Sequence, residues 1–383
     1  MKNLLFLHPE IRWIDVINYS RLKDWKTTFM GSPYPPDTKL LSKFYKNGII
    51  LPLKKLKVKS VFTKILDYNS LNAPFYPLVS DDFLKEFDAV ITIEFKTFYS
   101  LYISKKSKEL GFKHIVRSHS LYDTPLDYLP TYKKNARIVY NNADAIIFAT
   151  HLAKKYTTNK YGGHPKYIVS YLGIDPEEIN ILKKYNEDIY KGHVNNKKEH
   201  NIELIYVGRL VKEKGIIPTL KATKYLKDKG LDVRLTVIGD GKLKEKVVKF
   251  SRNYKNIIYL GSISHELIWQ KLFSSDIFLG VSGVKRMLGF TVWMEDVGHT
   301  TIEAMGAGLP VIGGNAGCQA EIIGNAGFTV PQRYQDIGNA ILGILDQGLD
   351  NFKEISRNRF DMYFNSQKNT EKLNNFLELL YKE

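Results

Sequence analysis

The chain has 383 residues, of which 44% are apolar, with one cysteine and a formal net charge of +16. That length exceeds one ordinary core and suits two domains of about 150–200 residues each. The composition excludes collagen, a disordered chain and a disulfide scaffold, and a lone Cys318 excludes an internal disulfide or a cysteine-built zinc cage.

The first residues, Met1-Lys2-Asn3-Leu4-Leu5-Phe6-Leu7-His8-Pro9, carry an apolar run too short for a signal peptide, so a buried first strand is expected. No stretch reaches the roughly 20 apolar residues of a spanning helix. A reducing cytoplasm is the simplest home for a chain with this cysteine usage. Residues 38–66 contain no acidic residue but eight lysines, among them Lys39, Lys43, Lys54 and Lys55, interleaved with Leu40, Leu41, Phe44 and Leu53. Two readings stand side by side. The stretch is either a peripheral docking surface for the anionic inner face of a membrane, or a solvated face over ordinary core strands.

Short apolar runs at 4–7, 89–93, 114–116, 145–148 and 167–171 predict strands in the first half. Amphipathic patterns at 100–110, 129–142 and 152–161 predict helices between them. The polar region 183–200 reads as a linker. The alternation restarts with strands at 202–207, 233–238, 257–260, 277–281 and 310–312, and helices at 216–229, 242–253 and 301–307. This is an α/β chain with parallel sheets covered on both faces. The expected division is 1–185, 186–351, and a helical tail 352–383 packing back on the first domain.

Four segments of the second half carry chemistry. In Gly208-Arg209-Leu210-Val211-Lys212-Glu213-Lys214-Gly215, two cations flank a turn beside a helix start, which makes a diphosphate site without a metal; a plain strand-to-helix loop fits equally well. Gly239-Asp240-Gly241 is a glycine turn after a strand, where backbone approaches a ligand closely. No third glycine follows at dinucleotide-fingerprint spacing. From Glu295 to Ile312 two glutamates stand eight positions apart. Gly298 opens a helix there, so Val297, Gly298, His299 and Thr300 can offer N–H groups to phosphate. Glu303 sits a turn further on, within reach of ribose hydroxyls, and Glu295 is free to face a sugar. Gly313-Gly314-Asn315-Ala316-Gly317 shapes either a sugar-pocket floor or only a connection.

Taken in order, these segments resemble retaining glycosyltransferases of family 4, also described as glycosyl transferases group 1, which have the GT-B fold: two Rossmann-like, doubly wound domains facing a cleft. The likeness is strongest over 202–331. It rests on Gly208-Arg209-Leu210 with Lys214, Gly239-Asp240-Gly241, Leu260-Gly261-Ser262-Ile263-Ser264, and Glu303-Ala304-Met305-Gly306-Ala307-Gly308-Leu309-Pro310. In the first half, Ile115-Val116-Arg117-Ser118-His119 resembles the family's strand ending in an active-site histidine.

The resemblance implies a hexosyltransferase-type enzyme that moves a sugar from a nucleotide-diphosphate-sugar, UDP- or GDP-linked, to a hydroxyl of a glycan or lipid-linked acceptor. Arg209 and Lys214 would hold the diphosphate, Glu303 the ribose, Glu295 the transferred sugar, and Gly239, Gly241, Ser262 and Ile263 the base. His119 would line the reaction centre. The sequence has no Asp-x-Asp, so fixed cations and helix N–H groups would offset leaving-group charge without a metal. Departures from the family stand at His8-Pro9-Glu10, where a Gly-Gly loop is usual, and at Asp296 and Val297, where glycine and an aromatic are usual. A GT-B nucleotide-sugar epimerase and a catalytically silent GT-B or basic surface-binding protein remain alternatives. Nucleic acid is disfavoured, because zinc-finger spacing and RNP signatures are both missing.

Overall fold

The computed structural model describes residues 1–34, 50–51, 79–190 and 202–382. The basic stretch 38–66 lies outside them, apart from the backbone of Ile50 and Leu51. Contacts divide the chain into two compact units: Met1–Gly173 with Met287–Val292 and Ser366–Glu383, and Ile174–Arg286 with Trp293–Asn365.

The first unit is built on β1 (Lys2–Arg12), β2 (Trp25–Tyr34), β3 (Ile50–Leu51), β4 (Ala89–Ile93), β5 (Lys113–Ser118), β6 (Ala145–Phe148) and β7 (Tyr167–Val169), in the order β3-β2-β1-β4-β5-β6-β7. Every pair is parallel. β4 and β6 are buried along their whole length, which their unbroken apolar runs require of a sheet covered on both faces. β1 shifts register between Leu7 and Glu10 and then continues to Arg12. The His8-Pro9 stretch is therefore an irregular strand here.

The second unit uses β8 (Ile202–Val207), β9 (Val233–Ile238), β10 (Ile257–Gly261), β11 (Ile277–Gly280), β14 (Val311–Gly314) and β15 (Gly327–Val330), ordered β10-β9-β8-β11-β14-β15. A separate two-stranded sheet pairs β12 (Lys285–Met287) with β13 (Phe290–Trp293). In both large sheets the strand order reverses beside the first strand, between β1 and β4 and between β8 and β11. Loops at the carboxyl ends of the strands gather at such a switch point, and ligands of doubly wound sheets bind there. The core of the second unit draws on Leu204, Leu235, Ile277, Leu279 and Ile312 from the sheet and on Leu220, Leu226, Ile341 and Ile344 from the covering helices.

Several expectations need correction. The region 183–200 was expected to be linker, yet a helix runs over Pro176–Tyr190, which the contacts place with the second unit. The tail is two helices, Leu349–Tyr363 and Ser366–Leu379, not one. The helix over Leu349–Tyr363 counts with the second unit, and the chain passes back to the first at Ser366. In the first unit, Glu378 of the last helix accepts bonds from Lys2 Nζ at 2.9 Å and Trp25 Nε1 at 3.0 Å.

Candidate functional site

The loops after β8, β9 and β10 are tied by backbone. Gly208 N–H donates to Ile238 O at 3.0 Å, Leu210 N–H to Asp240 O at 2.8 Å, and Gly239 N–H to Gly261 O at 2.8 Å. Gly239 has φ of 135°, and a Cβ there would stand 2.0 Å from Gly208 O. A side chain is excluded, so the three loops lie edge to edge. Gly208, Arg209, Gly239 and Gly241 are thereby brought together with the turn that carries Ser262 and Ile263. Arg209 is exposed and its guanidinium makes no hydrogen bond or ion pair among the described residues, while Tyr206 Oη fixes its carbonyl at 3.0 Å.

Lys214 sits in a single 3-10 turn, Lys212–Lys214, closed by Gly215 at φ 72°. A Cβ on Gly215 would lie 2.2 Å from Val281 O, so this turn packs directly on the end of β11. Gln332 Nε2 bridges the two by donating to Glu213 O at 3.0 Å and Val281 O at 2.6 Å. From this frame Lys214 Nζ reaches Glu295 Oε2 at 2.5 Å, and Ser282 Oγ donates to the same oxygen at 2.8 Å. The ammonium also lies 4.8 Å from the centre of the Trp293 ring. Trp293 therefore borders this cluster of charge.

Glu295 is only 8% exposed. Burial pushes its carboxyl up, but the charge and hydrogen bond of Lys214, with the Ser282 hydroxyl, outweigh that and leave it below the ordinary carboxylate range. The carboxylate is therefore ionised. Its backbone is held as well, because Cys318 N–H donates to Glu295 O at 3.0 Å. Cys318 is fully buried, as a small filler should be.

Gly298, at φ 69°, begins the helix over His299–Gly306. Thr301 and Ile302 N–H groups return to Gly298 O at 2.9 and 3.2 Å. The amides of His299 and Thr300 precede them at the open helix end. Val297 is buried at 1% exposure, so its side chain is a packing element beneath this turn and not a lining one.

Glu303 is buried and accepts from His265 Nε2 at 2.9 Å. His265 opens the helix over His265–Phe273, capped by Ser264, and was not singled out from the sequence. Its only signal was the Ser264-x-x-Leu267 helix start; the partner is 38 residues away. Burial pulls the imidazole pKa down, while the hydrogen bond and charge of Glu303, with Glu178 and Glu266 nearby, outweigh this and leave it above the ordinary value. A raised folded-state pKa stabilises below the ordinary histidine value, and that contribution is lost as pH rises through the folded pKa. His265→Gln should thus lose about 1 kcal/mol relative to the native chain near pH 5.5, and progressively less toward pH 8. Denaturant melts across this range check it; a difference independent of pH would contradict the pairing.

The sequence-predicted His119 belongs to the first unit. It is 8% exposed and follows β5, where its Nε2 accepts from Arg117 Nε at 3.1 Å. A donor on Nε2 leaves the ring proton on Nδ1. The His119 backbone N–H donates to Glu94 Oε1 at 2.5 Å, and Ser120 Oγ donates to Glu94 Oε2 at 2.5 Å. Glu94 was missed. It ends β4 with φ of 66°, a strained value for glutamate, and burial raises its pKa. Nothing local in Ile93-Glu94-Phe95 foretells that backbone.

Comparisons with known proteins bear on the family and the fold. Residues 191–363 match the model of the family described as glycosyl transferases group 1. The capsular polysaccharide biosynthesis glycosyltransferase CapM of Staphylococcus aureus is 24% identical over 269 residues, covering 67% of each chain. An uncharacterised glycosyltransferase of Methanocaldococcus jannaschii is 26% identical over 46% of this chain, and the match spans 44% of that relative's length. The sulfoquinovosyl transferase SQD2 of Arabidopsis thaliana is 28% identical over 41% of this chain, with 28% of its own length covered. Among solved structures, HepE of Anabaena in complex with UDP has a TM-score of 0.73 at 16% identity, with 99% of this chain and 100% of that chain covered. The chain has the GT-B fold, and its residues 191–363 match the family model of the glycosyl transferases group 1.

Proposed function

We propose that the protein is a glycosyltransferase that moves a sugar from a nucleoside-diphosphate sugar to a hydroxyl acceptor, without a metal and with retention of anomeric configuration. The observation that carries this reading is the Lys214–Glu295 pair at the switch point of the second sheet, beside an unengaged Arg209 and the open helix end at Gly298. Both cations suit a diphosphate. As the bond from the anomeric carbon to the diphosphate oxygen breaks, that oxygen gains negative charge, and Arg209, Lys214 and the amides of His299 and Thr300 stabilise it. The acceptor oxygen forms the new bond to the anomeric carbon, and its proton passes to the departing diphosphate. Glu295 contacts the sugar, Glu303 accepts from ribose hydroxyls, and the base rests on Gly239, Gly241, Ser262 and Ile263. His119 lines the acceptor side.

HepE is described in complex with UDP and with UDP-glucose, and a Corynebacterium glutamicum relative, 20% identical, is a GDP-mannose-dependent mannosyltransferase acting on a phosphatidylinositol mannoside. These support a UDP- or GDP-sugar donor and a glycan or lipid-linked acceptor for this chain. Glu303→Ala should weaken nucleotide binding about tenfold to a hundredfold, the loss of one buried hydroxyl–carboxylate contact. Glu295→Ala should keep nucleotide binding within a few-fold and lower turnover at least about a hundredfold. Calorimetric binding and donor turnover in EDTA check both. If the two variants bind and turn over like the native chain, the site assignment is wrong.

A further inference from the structure

The structure assigns a lipid-docking face to the first unit, built from the β12–β13 hairpin tip and the start of the helix over Pro130–Asn142. The hairpin tip Met287–Val292 counts with this unit: Tyr122 Oη donates to Val292 O at 3.2 Å, and the Phe290 ring lies 5.6 Å from that of Tyr128. Among the described residues the face is apolar and exposed. Leu288 is 91% exposed, Tyr128 56%, Leu129 47%, Met287 43% and Phe290 39%. Single exposed apolar residues are ordinary, but five from two distant segments meeting at one contact form a patch.

Leu288 is the sharper observation. Two residues join the strands, Leu288 at φ 50° and Gly289 at φ 82°. Such a turn favours Asn-Gly, because a left-handed backbone disfavours a leucine side chain. Leucine therefore stands there against local preference and almost fully exposed. That is expected of a side chain whose packing partner is outside the chain.

Charge selects the partner. Residues 282–294 and 128–143 contain no aspartate or glutamate. Lys133, Lys134 and Arg137 are exposed, with Lys133 Nζ 5.7 Å from the Tyr128 ring. The carboxylates of the preceding loop are already engaged: Asp127 by Lys96 at 2.7 Å and Lys160 at 2.8 Å, and Asp123 by Lys160. Leucine, methionine and aromatic side chains beside cations that make no ion pair among the described residues match the boundary of an anionic bilayer, where the rings sit at headgroup depth and the cations meet phosphate. This assignment does not depend on the transfer reading.

The test is co-sedimentation of the full chain with phosphatidylcholine vesicles and with vesicles also containing phosphatidylglycerol. The native chain should bind the anionic vesicles, less so at high salt. Leu288→Asn suits the turn, so its melting temperature should equal or exceed the native value while its partition falls about tenfold. Lys133→Glu with Lys134→Glu should lower binding to anionic vesicles. The assignment is overturned if the native chain ignores anionic vesicles. It is equally overturned if Leu288→Asn binds like the native chain, because other basic segments are intact in that variant. Loss of a dimer in Leu288→Asn by sedimentation equilibrium, without vesicle binding by the native chain, would make the face a protein contact instead.

Discussion

Replacing Lys214 by alanine should lower transfer about a thousandfold and destabilise the second unit by about 3 kcal/mol. Two separate losses cause this. In the proposed reaction, the diphosphate loses the cation aimed at its developing charge. Glu295, 8% exposed, loses the ammonium that keeps it ionised, and Ser282 alone is left to satisfy it. The losses separate in the double variant Lys214→Ala with Glu295→Gln, where no buried charge is stranded. Most of the stability should return there, while transfer stays as low as in Lys214→Ala. Denaturant melts and donor turnover report the two effects independently. Native-like turnover in Lys214→Ala would remove this residue from the mechanism, and equal melts in single and double variants would show that the pair does not govern stability.

Arg117→Met should destabilise the first unit by about 3 kcal/mol, because three buried acceptors lose their donor. The guanidinium is fully buried and spends its donors on three neutral acceptors: His119 Nε2 at 3.1 Å, Tyr19 Oη at 2.8 Å and Ser170 O at 3.0 Å. Those bonds join β5, the helix over Trp13–Tyr19 and the segment after β7. Methionine fills much of the space but leaves all three acceptors without that donor. For a unit of about 200 residues the melting temperature should fall by roughly 10 °C. The imidazole of His119 also loses the donor that orients it, so residual folded protein should show reduced turnover with little change in nucleotide affinity. A melting point within about 1 °C of the native chain would mean the cluster is not cooperative.

The elements legible in the sequence are those fixed by local pattern. β4, β6, β8 and β9 fall on their apolar runs, and the helix over Pro130–Asn142 on its amphipathic period. β2 was illegible because Trp25-Lys26-Thr27-Thr28 is half polar and Gly31-Ser32-Pro33 looks like a turn; only pairing along β1 makes it a strand. The helix over Pro176–Tyr190 hid in a lysine- and asparagine-rich run whose polar face resembles a linker. The candidate site divides the same way. Arg209, Lys214, Glu295, Gly298 and Glu303 stand in short motifs at strand ends, and the family resemblance of those motifs singles them out. His265, Ser282, Gln332 and Glu94 could not, because each acts on a partner distant in the chain: Glu303, Glu295, the Lys214 turn and the His119 loop respectively. Their identities follow from the sheet order, which brings separate loops to one edge.

The proposed transfer requires the second unit to hold a nucleoside-diphosphate sugar. Titration calorimetry of the purified chain against UDP, GDP, ADP and CMP and their common sugars, with EDTA present, tests it most directly. Saturable one-site binding of one nucleoside diphosphate, lost in Lys214→Ala, is the predicted result. No binding to any of them by a folded chain would contradict the claim and leave a silent GT-B protein.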